Sequence, residues 1–139
     1  MLMPQIASAA ALRPNERLVQ VWRAGLETTI MDPEDGPSNT NLSGVLLATD
    51  QRLIFMQKKN ILSSKYSITE NLEYGNIASW KVRHLLRVKN LQIDLFQGRD
   101  RQKVFNNLCE VDPGTLSALQ PWTAENLHSL LQGLIAVRR

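Results

Sequence analysis

Cysteine is nearly missing from this chain: Cys109 is the only one in 139 residues. A single thiol closes no internal disulfide and offers no zinc ligand set of the usual Cys/His spacing, so a reducing, cytoplasmic setting is expected. Its neighbours Glu110 and Asp112 are acidic, the opposite of the setting that activates a nucleophilic thiol. Histidine is nearly as scarce. His84 and His128 stand far apart, fall on an expected strand end and an expected helix, and form no H-E-x-x-H pair. There is no G-x-S-x-G elbow, no phosphate-cradling glycine loop and no paired-carboxylate motif. These absences leave catalysis without a candidate and imply neither metal nor cofactor. Long apolar runs are lacking too, since none approaches the about 18 to 20 residues that span a bilayer. Any membrane role is therefore expected to be peripheral. The Ala-rich start has no positive n-region and is interrupted by Pro4 and Gln5, so residues 1–14 read as a flexible lead-in and not as a signal peptide.

What the chain does have is an ordinary globular composition, 43% hydrophobic and 21% charged. Residues 15–139 read as one domain, long enough to bury about two-thirds of the extended chain's surface. Most of it has the period of strands. The runs Leu18–Leu26, Gly44–Thr49 and Arg52–Gln57 are rich in β-formers, and Asp50-Gln51 forces the second and third into a tight antiparallel hairpin. Tyr66–Thr69 alternates. Ile77–Arg83 sets Ala78, Trp80 and Val82 against Ser79 and Lys81, and Leu91–Gln97 sets Leu91, Ile93 and Leu95 against Gln92 and Asp94. Both patterns are those of half-buried strands. Gly98-Arg99-Asp100 then turns the chain into a seventh strand, Gln102–Phe105. Between the strands, Met31–Asn41 carries two prolines and a glycine and reads as a long mobile loop, Lys58–Ser64 as a loop, and Asn71–Asn76 as a turn.

The period changes near the C-terminus. Leu127, Leu130, Leu131, Leu134 and Ile135 fall at i, i+3, i+4, i+7 and i+8, one stripe along a helix with Thr123 as N-cap. Before it, Thr115–Gln120 reads as one short helical turn. The expected fold is mainly β, a barrel of about seven antiparallel strands capped by the C-terminal helix. Such a bent sheet must hide its inner face, and a helix with one apolar stripe provides the cover.

Charge is unevenly spread. Residues 80–103 hold seven basic side chains against two acidic ones, whereas residues 1–57 hold four arginines against six acids. In a small barrel, Lys81, Arg83, Arg87, Lys89, Arg99 and Arg101 gather toward one side, with Lys58 and Lys59 adding to the patch. That patch suits an anionic head group or an acidic partner, against the plainer alternative of a solvated face. Trp22, Trp80, Phe55 and Phe105 sit in burying positions, which leaves no base-stacking platform and no expectation of nucleic acid. Phe96 falls on the polar face of its strand and either packs under the following segment or marks a contact. Trp122, beside the helix start, and His128, on its polar face, are the other contact candidates.

The stretch Gly44–Phe55 (GVLLATDQRLIF), followed by Ile68–Ile77 (ITENLEYGNI) and Trp80, resembles the strand, Thr-x-x-Arg-Leu-Ile, strand, Tyr-x-x-Ile pattern of PH-like domains, notably the GRAM and bacterial YokE-type groups. The opening Asn15-Glu16-Arg17-Leu18-Val19 with the Leu46–Asn60 hairpin is also similar to the GLUE domain, a split PH fold of the endosomal sorting machinery. The resemblance implies a non-enzymatic binding module. Its partner would be an anionic lipid, phosphoinositide included, or a protein such as ubiquitin, and edge strands leave self-assembly open. In this reading Thr49 and Asp50 form a turn, and Arg52 lays its stem over the barrel rim with its charge in water.

Overall fold

The computed structural model describes residues 2–32, 34, 36–58, 65–85, 88–98, 100–119 and 124–138. Seven strands form one antiparallel sheet: β1 (Leu18–Asp32), β2 (Gly36–Thr49), β3 (Arg52–Lys58), β4 (Tyr66–Glu73), β5 (Ile77–Leu85), β6 (Val88–Leu95) and β7 (Gln102–Glu110). Their order across the sheet is β4-β3-β2-β1-β7-β6-β5. Two helices flank it, α1 (Pro4–Ala10) and α2 (Ala124–Arg138), and a 3-10 turn, Tyr74–Asn76, links β4 to β5.

Alternation decides which residues face inward. Trp22, Ala24 and Leu26 of β1, Leu46 and Ala48 of β2, Leu53 and Phe55 of β3, Leu91, Ile93 and Leu95 of β6, and Phe105 of β7 converge in one core. Leu127, Leu131 and Ile135 of α2 join the same core at 0% exposure, with Leu130 and Leu134 packed beside them. The leucine stripe thus closes the inner face of the sheet, as its spacing requires. Phe55 and Phe105, from opposite halves of the sheet, meet with ring centroids 5.6 Å apart, a separation at which tilted rings attract.

The N-terminal segment differs from expectation. Rather than a loose lead-in, Pro4–Ala10 is helical and covers the outer face of the first strands, with Ile6 at 0% and Ala10 at 1% exposure. Beneath it lies a second apolar cluster of Val21, Val45, Leu47, Ile54, Met56 and Val111. The physical reason is that β2 and β3 are apolar on both faces: Val45 and Leu47 point away from the inner core, and without α1 they would meet water. Met3 N–H donates to Pro113 O at 2.9 Å and ties the helix down. Ile6→Ala is therefore expected to cost about 2 kcal/mol in denaturant unfolding; an unchanged midpoint would mean that α1 does not pack on the sheet.

Three further expectations are corrected. Met31–Asn41 is not one long loop, because β1 and β2 stay paired out to Asp32↔Gly36, the ladder prevailing over turn-prone composition; Glu34 lies in a turn and Gly36 has φ 77°. Strand β7 runs on to Glu110, past Phe105. Thr115 ends a turn and no helical segment follows it before residue 120; instead Val111 bridges Ala118. The proposed N-cap Thr123 lies outside the described residues.

Candidate functional site

The interior holds an ion pair that the sequence did not suggest. Glu16 is 8% and Arg52 6% exposed. Arg52 binds the carboxylate with two nitrogens, Nε donating to Oε2 at 2.8 Å and Nη2 to Oε1 at 3.0 Å. Thr49 Oγ1 donates to Oε2 at 2.6 Å, and Arg13 N–H donates to Oε1 at 3.0 Å. The same threonine oxygen accepts from the Arg52 and Gln51 N–H groups, while Tyr74 donates its hydroxyl to Thr49 O at 2.5 Å. Burial alone would push the Glu16 carboxyl up, but the hydrogen bonds from Arg52, Thr49 and the Arg13 backbone outweigh it and hold it at about 2. Arg52 therefore does not lie wet on the rim. It anchors the β2–β3 turn to the segment before β1, and the pair's charges answer each other, not a ligand.

The basic residues singled out from sequence fall into separate places. Lys81 and Arg83 are exposed on β5, alternating with Trp80 and Val82, which pack on the core. Across the strand they face the neutral amides Gln92 and Asn90, and no acid stands directly opposite either one. Lys89 sits in β6 opposite His84. Arg87, Lys59, Arg99 and Trp122 lie outside the described residues. Arg101 is exposed just before β7, at the far end of β6 from Arg83, and Lys58 is exposed at the end of β3, with four strands between it and β5. Thus Lys81 and Arg83 form one unit, while Arg101 and Lys58 stand apart from it.

Phe96 is 54% exposed. Its N–H donates to Asn76 O at 2.9 Å. The Asn76 side chain brackets the next residue, donating to Gln97 O at 3.1 Å and accepting from Gln97 N–H at 3.0 Å, so this turn is clamped to the 3-10 turn. His128 is exposed on α2, its ring 5.8 Å from that of Trp80.

Two concave places lie among the described residues. A cleft of about 240 Å³ is lined by Leu26, Glu27, Thr28, Glu70, Asp100, Gln102 and Lys103. Its one cation is already engaged, Lys103 Nζ donating to Glu70 Oε1 at 2.9 Å. Strand parity could have located Lys103, which shares an inward face with Phe105. On the outer face, Asn41 and Asn106 meet over Gly25, Asn106 Nδ2 donating to Asn41 Oδ1 at 2.9 Å. A Cβ on Gly25 would collide with both amides. Among the described residues no group of three His, Cys, Asp or Glu side chains converges to hold a metal ion, and no helix is long and apolar enough to cross a membrane.

No protein-family model matches the chain, and no curated protein matches its sequence. Solved structures do match. A pleckstrin homology domain from Shewanella amazonensis SB2B aligns over 96% of this chain and 98% of its own, at 14% identity and a TM-score of 0.52. A DUF1696-family protein with a pleckstrin-homology domain from Shewanella loihica PV-4 aligns over 99% of this chain and 93% of its own, at 15% identity and a TM-score of 0.52. The Vps36 N-terminal PH domain aligns over 91% of this chain and 83% of its own, at 13% identity and a TM-score of 0.53. Seven antiparallel strands closed by one C-terminal helix, matched end to end by these structures, make the fold of this chain PH-like.

Proposed function

We propose that the chain is a non-catalytic binding module that docks on an anionic membrane surface through the β5–β6 hairpin. The observation that carries this reading is the pairing of Lys81 and Arg83, exposed on the outer face of β5 opposite uncharged Gln92 and Asn90. Residues 81–89 add Arg87 and Lys89 and contain no acid, so the hairpin concentrates four cations. Lys58 and Arg101 stand apart from this hairpin, and Lys59 and Arg99 lie outside the described residues, so none of the four is assigned to the docking surface. Each basic residue held near an anionic bilayer contributes about 1 kcal/mol, and that contribution weakens with salt.

Cosedimentation with vesicles tests the proposal. Retention is expected on vesicles containing phosphatidylserine or a phosphoinositide, with loss at high salt; equal retention on purely zwitterionic vesicles would refute it. The double variant Lys81→Ala/Arg83→Ala is expected to weaken binding about 30-fold, the equivalent of ~2 kcal/mol, with an unchanged unfolding midpoint. A second reading, a protein adaptor of GLUE type, draws on Phe96, an exposed ring on a clamped turn, since solvated aromatics of this kind favour protein contacts. Titration of ubiquitin into isotope-labelled protein decides it: shifts around Phe96 support it, and an unchanged spectrum removes the ubiquitin version.

A further inference from the structure

Among the described residues, strand β1 has neighbours on both sides only as far as Leu26. Beyond that point it keeps β2 for six more pairs, Glu27↔Asn41 to Asp32↔Gly36. The described ladder to β7 ends at Leu26↔Phe105, and β7 continues against β6 through Ile93↔Lys103 and Asp94↔Gln102. The two strands part, and the cleft lined by Leu26, Glu27, Thr28, Asp100, Gln102 and Lys103 opens between them. Along Glu27–Asp32, about 20 Å of extended backbone, alternate N–H and C=O groups face away from β2 with no ladder partner among the described residues. A row of this kind is a template for another strand.

Charge identifies the strand that fits. Glu27, Glu70 and Asp100 line the cleft against Lys103 alone, and Lys103 is held by Glu70. Between Arg23 and Arg52 the sequence has five acidic residues and no basic one, so the whole projecting β1–β2 arm carries one sign. An acidic segment would be repelled along its length, whereas a basic one is drawn to both the arm and the cleft.

We propose that the β1 edge from Glu27 to Asp32 accepts an extended, lysine- or arginine-bearing peptide segment of a protein partner. The segment adds as a strand beside β1, and one basic side chain enters the cleft next to Glu27 and Asp100. Side chains two apart on a strand share a face, so the preferred segment has basic residues at alternate positions. This surface is separate from the β5–β6 hairpin and does not depend on the proposal made for it.

The test is titration of an alternating Thr-Lys octapeptide into the isotope-labelled full chain. Shift changes are expected at Glu27–Asp32 and at Gln102–Lys103. N-methylation of the peptide backbone on its pairing edge should abolish them, because strand addition needs those N–H groups. Glu27→Lys and, independently, Asp100→Lys should each raise the Kd about tenfold, the spectrum of each variant reporting that the fold is kept. Equal binding by an alternating Thr-Glu peptide, binding indifferent to N-methylation or to both substitutions, shifts confined to another face, or no shifts at millimolar peptide would each overturn the proposal.

Discussion

Replacing Glu16 by glutamine is expected to destabilise the fold by about 3–5 kcal/mol, because the isosteric amide leaves the Arg52 guanidinium buried without its counter-charge. The side chains of the pair are 0% and 7% exposed, so water does not substitute for the lost partner. Folded domains of this kind are stable by only about 5–15 kcal/mol, and the variant should unfold at far lower denaturant with an unchanged m-value. Replacing both residues by apolar ones of similar volume, Glu16→Leu with Arg52→Met, should recover most of the loss. A single variant with wild-type stability would show that the pair is solvated in solution. The same geometry sets an acid response. The folded carboxyl is held at about 2 against an ordinary 4.5, so the unfolded chain takes up a proton first as pH falls. The contribution is complete above pH 4.5 and is lost progressively toward about pH 2, and Glu16→Gln should flatten that part of the stability profile.

Gly44→Val is expected to cost about 3 kcal/mol or more. Gly44 lies opposite Gln57 where β2 and β3 begin to pair. A Cβ there would run into the Met56 carbonyl oxygen, with the Met56 carbonyl carbon at 2.9 Å and Gln57 Cα at 3.1 Å. These are backbone atoms of a paired strand, so no side chain can swing aside, and relief requires that the β2–β3 ladder shift. Thermal unfolding measures the cost, and amide exchange at Phe55–Gln57 should quicken. Wild-type stability and protection would mean that the two backbones lie further apart than the structure has them.

The barrel was legible because its strands are half-buried: Trp80 and Val82 against Lys81, and Leu91, Ile93 and Leu95 against Gln92 and Asp94, have one face each for oil and water. The stripe from Leu127 to Ile135 was legible for the same reason at the helical period. What escaped was set by long-range contacts. Arg52 reads as a rim residue because its partner Glu16 lies 36 positions away. Helix α1 is short and Ala-rich, and its signal was indirect: β2 and β3 are apolar on both faces, which demands a second cover. The arm Glu27–Asn41 owes its extended form to the ladder between β1 and β2, which its own prolines and glycine do not announce, so they argued for a loop. In the candidate surface, the orientation of Lys81 and Arg83 followed from alternation, whereas Lys103 was counted with the basic run although its parity with Phe105 turns it inward, to Glu70.

The central functional claim is positional: anions meet the outer side of β5 and β6, and the acid-lined opening where β1 leaves β7 repels them. Titrating anionic bicelles into the isotope-labelled chain and following backbone amides tests this directly. The account expects shifts at Lys81–Arg83 and Asn90–Gln92 that vanish at high salt, with Leu26–Thr28 and Asp100–Lys103 unmoved. Movement at the opening with a silent hairpin would contradict it.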